Sequence, residues 1–281
     1  MLLFVVCAVM CVGCGNSQDK PNNPDEPNNP TVETESIIAL TDAVNEIQMA
    51  LAINGNDNHS ILEKIGNFDY TCQIELCDDE TTPEDVYQAG IYHYANYDFV
   101  TYNSETSQGQ VDNKTRKVYF ANGVEYVNYV KYGNDIHEQT NKNVINVELF
   151  NTAFSVDAFN FVYDSEVKKV ANADGISYTL KSDLKGVLKL INLVSGKSIG
   201  EDFEEQWLEL KNKLSQDVLD ECYMSVIIEV DLYGTITTAE IDWVYVMSED
   251  CYKYKENYRI SKTTNQVTQP QWVTDYLASK N

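Results

Sequence analysis

The chain of 281 residues carries 44 Asp plus Glu against 20 Lys plus Arg, a formal charge of −24. That balance excludes broad binding to a nucleic-acid backbone and a polybasic grip on anionic lipid. With 43% hydrophobic and 11% aromatic residues the chain can bury a substantial core, which excludes wholesale disorder.

Residues 1–13 hold no charged side chain and run into Cys14. The stretch is too short to cross a bilayer as a helix but fits the apolar region of a signal peptide. Cys11-Val12-Gly13-Cys14 resembles a bacterial lipobox, with Cys11 where that pattern usually has Leu. The resemblance implies cleavage before Cys14, acylation of that cysteine, with palmitate as one such chain, and a lipid-anchored protein on the extracytoplasmic face of a membrane. The competing reading is a chance apolar start whose cysteines belong to a core. The adjoining segment favours the anchor, because residues 14–33 form a polar tether with Pro21, Pro24, Pro27 and Pro30 at every third position. That period matches the turn of polyproline II, a semi-stiff, solvated spacer.

Residues 34–281 read as one α+β domain. Ile37, Leu40, Val44, Ile47 and Leu51 fall at helical spacing and predict a helix over 34–53, with a short helical piece at 60–65. Strands follow at 68–76, 86–102, 117–121 and 124–132, and Asn122-Gly123 is the clearest hairpin signal. That turn would set Tyr119 opposite Tyr126 and Val118 opposite Val127, giving apolar area on both faces. A helical insert is expected at 144–161, at 182–194 with Ser182 as N-cap, and at 201–219 behind an acidic first turn. Strands 166–171 and 176–181 flank a turn at 173–175.

The closing hairpin, turning at Tyr233-Gly234, alternates. Met224, Val226, Ile228 and Val230 share one face opposite Trp243, Ile241, Ala239 and Thr237. Ser225, Glu229 and Asp231 share the other with Asp242, Glu240 and Thr238. Alternation of this kind predicts an antiparallel sheet with one dry face and one wet face.

Four cysteines remain outside the signal segment and Cys14: Cys72, Cys77, Cys222 and Cys251. In an exported protein they permit two disulfides in three connectivities, or stay free thiols in an anaerobe. Neither a Cys-x-x-Cys pair nor clustered histidines make a metal site of them, and no metal or cofactor is expected. His59, His93 and His137 are scattered. No nucleophile elbow, phosphate loop or zinc-protease helix occurs, so no catalytic residues are assigned. Residues 78–85 form an acidic loop that reads as solvated or as a calcium site, although its spacing matches no rigid calcium loop. Of 19 tyrosines, nine lie between Tyr87 and Tyr132. Tyr92 and Tyr94 share a face and, as strand residues, suit either a core or a ligand surface.

The order of these elements resembles the exported lipoproteins of the LolA, LppX and LprG half-barrel type. The resemblance rests on segments 118–126 and 234–241 within that order and spans roughly residues 34–270. It implies a curved antiparallel sheet wrapped over helices, with an apolar cavity that holds acyl chains. Together these readings lead to a non-enzymatic, membrane-anchored lipoprotein that binds a lipid-like ligand in the concavity of its sheet. The residues expected to touch that ligand are Tyr92, Tyr94, Met224, Val226, Ile228, Ile241 and Trp243. The alternative is an adhesin or carbohydrate-binding module using the tyrosine-rich strands. The partners expected are thus a membrane and a lipid-like ligand, with no nucleic acid.

Overall fold

The computed structural model describes residues 33–51, 61–77, 85–93, 98–107, 110–129, 135–139, 147–246 and 253–280. The signal segment, Cys14, the tether up to Val32, most of the acidic loop, His59, Tyr94 and Cys251 lie outside the described residues.

The expected start is half helix, half strand. Thr34–Ala39 extends as strand β1 and only Leu40–Leu51 coils as helix α1. The apolar spacing of Ile37 and Leu40 is helical, but β1 finds a partner in strand β8 (Glu166–Ala171), and pairing across the sheet overrides local preference. Ile37 is left 59% exposed on this edge strand. Helix α2 (Ile61–Ile65) then leads into strand β2 (Asn67–Cys77).

The run expected as one strand over 86–102 is two: β3 (Asp85–His93) and β4 (Asp98–Ser107), paired antiparallel. Strand β5 (Gln110–Ala121) meets β6 (Val124–Tyr129) through Asn122 and Gly123, whose φ values are +52° and +81°. Two successive positive φ angles make the turn that matches strand twist, and Asn-Gly is the pair that tolerates them. The register is the expected one, Tyr119 opposite Tyr126 and Val118 opposite Val127. Strand β7 (Asp135–Gln139) closes this side.

The insert is broken where serine offers a cap. Helices α3 (Val147–Ala153) and α4 (Val156–Phe161) replace the single helix expected at 144–161, because Ser155 Oγ accepts from Ala158 N at 3.2 Å and starts a new helix. Strand β9 (Gly175–Asp183) runs further than expected. Ser182 therefore belongs to it and donates to Val162 O, and Asp183 caps helix α5 (Leu184–Val194) by accepting from Gly186 N at 3.0 Å. Similarly, Ser215 divides the 201–219 segment into α6 (Glu201–Lys213) and α7 (Gln216–Glu221).

Strands β10 (Tyr223–Asp231) and β11 (Ile236–Val246) pair as expected from Met224–Trp243 to Ile228–Ala239. A register shift after Glu229 then sets Val230 opposite Ile236 rather than Thr237. Two elements were not foreseen, strand β12 (Lys253–Lys262) and helix α8 (Gln271–Ser279). The first joins the halves, giving one open antiparallel sheet in the order β1-β8-β9-β10-β11-β12-β2-β3-β4-β5-β6-β7. The fold is thus of the α+β class expected, a large unclosed antiparallel sheet with α1, α2 and α5 packed on one face. Helix α8 lies on the opposite face at β5 and β6, burying Tyr119 and Val273 beside Tyr126, Trp272 and Leu277. Both faces are therefore covered there.

Candidate functional site

The inner face of the sheet, on which α2, α3 and α5 pack, is built in rows. Leu180, Val226, Ile241, Tyr258 and Cys72 stand side by side across β9, β10, β11, β12 and β2. One row further along the strands are Ser182, Met224, Trp243, Glu256 and Ile74, and on the other side Tyr178, Ile228, Ala239, Ile260 and Tyr70. Because side chains alternate, each row puts its neighbours on the opposite, polar face. There Tyr223 OH donates to Asp242 at 2.8 Å, and Glu240 accepts from Arg259 and Asn257 at 2.6 and 2.8 Å.

Six of the seven residues expected to line a ligand site share this inner face. Met224, Val226, Ile228 and Ile241 are fully buried, Trp243 and Tyr92 nearly so, and all six belong to one apolar core. Tyr92 stacks on Phe68 with ring centroids 5.0 Å apart, so its ring faces the interior and offers no external platform. Tyr119 and Tyr126, the other tyrosine pair, stack at 6.2 Å beneath α8.

Sequence reasoning missed the polar centre of this face. Glu256 is 8% exposed, and its carboxylate accepts three bonds of 2.8 Å: Trp243 Nε1 and Tyr258 OH on Oε2, Tyr245 OH on Oε1. Trp243 meets the rings of Tyr245 and Tyr258 edge-on, and Tyr254 stacks on Tyr245 at 5.4 Å. Burial, followed by the charge of Glu256, pushes the phenols of Tyr245 and Tyr258 far above their usual range. Burial also pushes the Cys72 thiol up to about 11. These groups are proton donors at neutral pH, so the cluster holds a carboxylate in place and offers no thiolate or phenolate nucleophile. The signal was present in the alternation of Tyr254, Glu256, Tyr258 and Ile260, but five charged residues in β12 obscure it.

Among the described residues, the cysteines do not assemble. Cys72 and Cys77 lie on the same uninterrupted strand, roughly 16 Å apart at about 3.3 Å per residue, which excludes that disulfide. Cys222 immediately precedes β10, three strands from β2, or at least roughly 14 Å at about 4.8 Å per strand. Cys72 and Cys222 are buried free thiols. The Cys77 side chain lies outside the described ones. His137 Nε2 sits 3.0 Å from Asp135 Oδ2 in an exposed pair on β7. Among the described residues, no three His, Cys, Asp or Glu side chains gather as a metal site, and no helix is long and apolar enough to cross a membrane.

No family model matches the chain, and no curated protein matches it. Among solved structures, LprF from Mycobacterium bovis is similar over 80% of this chain and 97% of its own, at 9% identity and a TM-score of 0.34. A LolA superfamily protein from Nitrosomonas europaea is similar over 77% of this chain and 97% of its own, at 9% identity and a TM-score of 0.27.

Proposed function

We propose that the protein is an extracytoplasmic lipoprotein, anchored through Cys14, that binds an apolar or amphiphilic ligand between its sheet and its helical cover without catalysing a reaction. The main support is the inner face itself. Apart from Ser182 and Glu256, the rows across five strands hold apolar and aromatic side chains and one thiol, and the cover consists of separate helices of five to twelve residues. Displacing such a helix costs few backbone hydrogen bonds, because the sheet keeps its own ladder. An acyl chain entering there replaces helix-to-sheet contacts with contacts of the same kind.

The adhesin reading draws less support, since Tyr92 and Tyr119 are buried. Two measurements test the proposal. Metabolic labelling with palmitate is expected to mark the native chain and to leave Cys14→Ser unmarked. Mass spectrometry of organic extracts of the Cys14→Ser chain is expected to find a lipid in near-stoichiometric amount. Extracts at background level, together with failure to take up a fluorescent acyl probe, would sink the ligand-binding claim.

A further inference from the structure

The end of the sheet at which β1 begins carries an exposed apolar tip. In the β10–β11 turn Leu232 is 70% exposed and Tyr233 89%, and the backbone that presents them is fixed. Asp231 Oδ1 accepts from Tyr233 N at 2.9 Å and from Thr235 N at 2.8 Å, Gly234 N donates to Asp231 O at 3.0 Å, and Gly234 takes φ +77°. The carboxylate thus braces the turn from within and leaves the two large side chains outside. Register places this turn near the start of β1. Thr34 pairs with Ala171, Ala171 with Ile176 and Ile176 with Val230, so three strand spacings of about 4.8 Å, roughly 14 Å in all, separate Thr34 from the base of the turn. Helix α1 leaves the far end of β1 and meets Lys169 and Tyr178 at Glu46, so Met49, one turn further on and 65% exposed, approaches the same end.

An exposed leucine and tyrosine on a braced tip suit the boundary of a bilayer, where the leucine reaches acyl carbon and the tyrosine keeps its hydroxyl among the head groups. Two side chains alone hold a domain to a membrane weakly, but a tether raises the local concentration of the second contact to about the millimolar range. From Cys14 to Thr34 the chain spans at most about 70 Å, so an anchor at Cys14 keeps the tip within reach of the lipid surface. Asp231 and Asp174, which precedes its strand partner Gly175, flank the turn and select against an anionic surface. We propose that the end of the sheet bearing Thr34, Leu232 and Tyr233 docks on a zwitterionic bilayer, with Leu232 and Tyr233 entering its interface. The inference rests on the anchoring at Cys14 proposed above and adds which end of the domain faces the membrane. It needs no ligand on the inner sheet face.

The test uses the full-length chain purified from membranes and reconstituted into phosphatidylcholine vesicles whose acyl chains carry bromine, a quencher of tryptophan emission. Mass spectrometry first checks for acyl chains on Cys14. Tyr233→Trp adds an emission that is expected to lie to the blue and to be quenched, measured against the parent chain with its three native tryptophans. Phe161→Trp is the control, because Phe161 is 52% exposed on α4 at the opposite end of the sheet, where Asp164 N bonds Lys181 O. Its added emission should stay unquenched. Leu232→Asp combined with Tyr233→Trp should abolish the quenching, with circular dichroism checking the fold, and phosphatidylglycerol vesicles should quench less than phosphatidylcholine. The proposal is overturned if acylated Tyr233→Trp protein is not quenched, if Phe161→Trp is quenched equally, if Leu232→Asp changes nothing, or if anionic vesicles quench as strongly. It is also overturned if the blue shift appears without vesicles as protein concentration rises, which would assign the tip to a second copy of the chain. A Cys14 without acyl chains would remove the anchoring reading and this one with it, whereas acylated protein without quenching removes this one alone.

Discussion

Glu256 sits where an apolar side chain would be expected, on the inner face between Trp243 and Ile74. Its tolerance there depends on Trp243 Nε1 and the hydroxyls of Tyr245 and Tyr258, which return the hydrogen bonds that water would have made. Glu256→Ala leaves three buried donors without their acceptor and should cost about 3–5 kcal/mol in urea unfolding, whereas Glu256→Gln keeps an acceptor and should cost less. The neighbouring Cys72, buried and held as a thiol, should resist iodoacetamide at pH 8 in the native protein and react once the chain is unfolded. A second carboxylate, Glu46 of α1, accepts from Lys169 Nζ at 2.6 Å and from Tyr178 OH, fastening the helix to β8 and β9. The hydrogen bond from Lys169, then that from Tyr178, holds its pKa below the unperturbed value of 4.5. A depressed carboxylate contributes stability that is complete above pH ~4.5 and lost as pH falls through the folded-state value. Glu46→Gln should therefore lower stability at neutral pH and flatten the acid limb of the stability curve, as followed by thermal unfolding between pH 7 and pH 3.

Among the elements, turns and caps decide where the chain changes direction. Gly123 adopts φ +81° in the β5–β6 turn, and Gly123→Ala should cost about 1 kcal/mol through left-handed backbone strain. Gly186 is needed for a different reason, close approach. A Cβ there would fall 1.6 Å from Ser182 Oγ and 2.5 Å from Val162 O, so Gly186→Ala must push α5 away from β9 or break the Ser182 hydrogen bond. Its expected cost in denaturant unfolding is about 2 kcal/mol, in the range of overpacked cores. The β5–β6 and β10–β11 hairpins were legible because alternation and turn chemistry agree there. Strand β1 was not, because its extended form depends on β8, more than 120 positions away in the sequence. The breaks at Ser155 and Ser215 were legible in principle, each a capping residue inside an apolar period. Their weight against a longer helix depends on what the next turn packs against.

For the molecule as a whole, β12 is the piece on which the architecture turns. Without it β11 and β2 would be unpaired edges of two smaller sheets. Periodicity did not reveal it, since its inward set of Tyr254, Glu256, Tyr258 and Ile260 includes a carboxylate and its outward set is mostly charged. The inward face of β10 and β11 was readable residue by residue, whereas the polar centre at Glu256 depends on which distant elements come together. The charge of −24 also takes on meaning at this scale. Among the described residues it is spread over a polar outer sheet face and the exposed sides of helices, while the inner face carries mostly apolar side chains. The most direct test of the central claim is native mass spectrometry of the Cys14→Ser chain before and after organic extraction. The expected result is a bound mass that extraction removes and that returns when lipid extract is added back. An unliganded mass in both states, with no adduct on adding lipid, would contradict it.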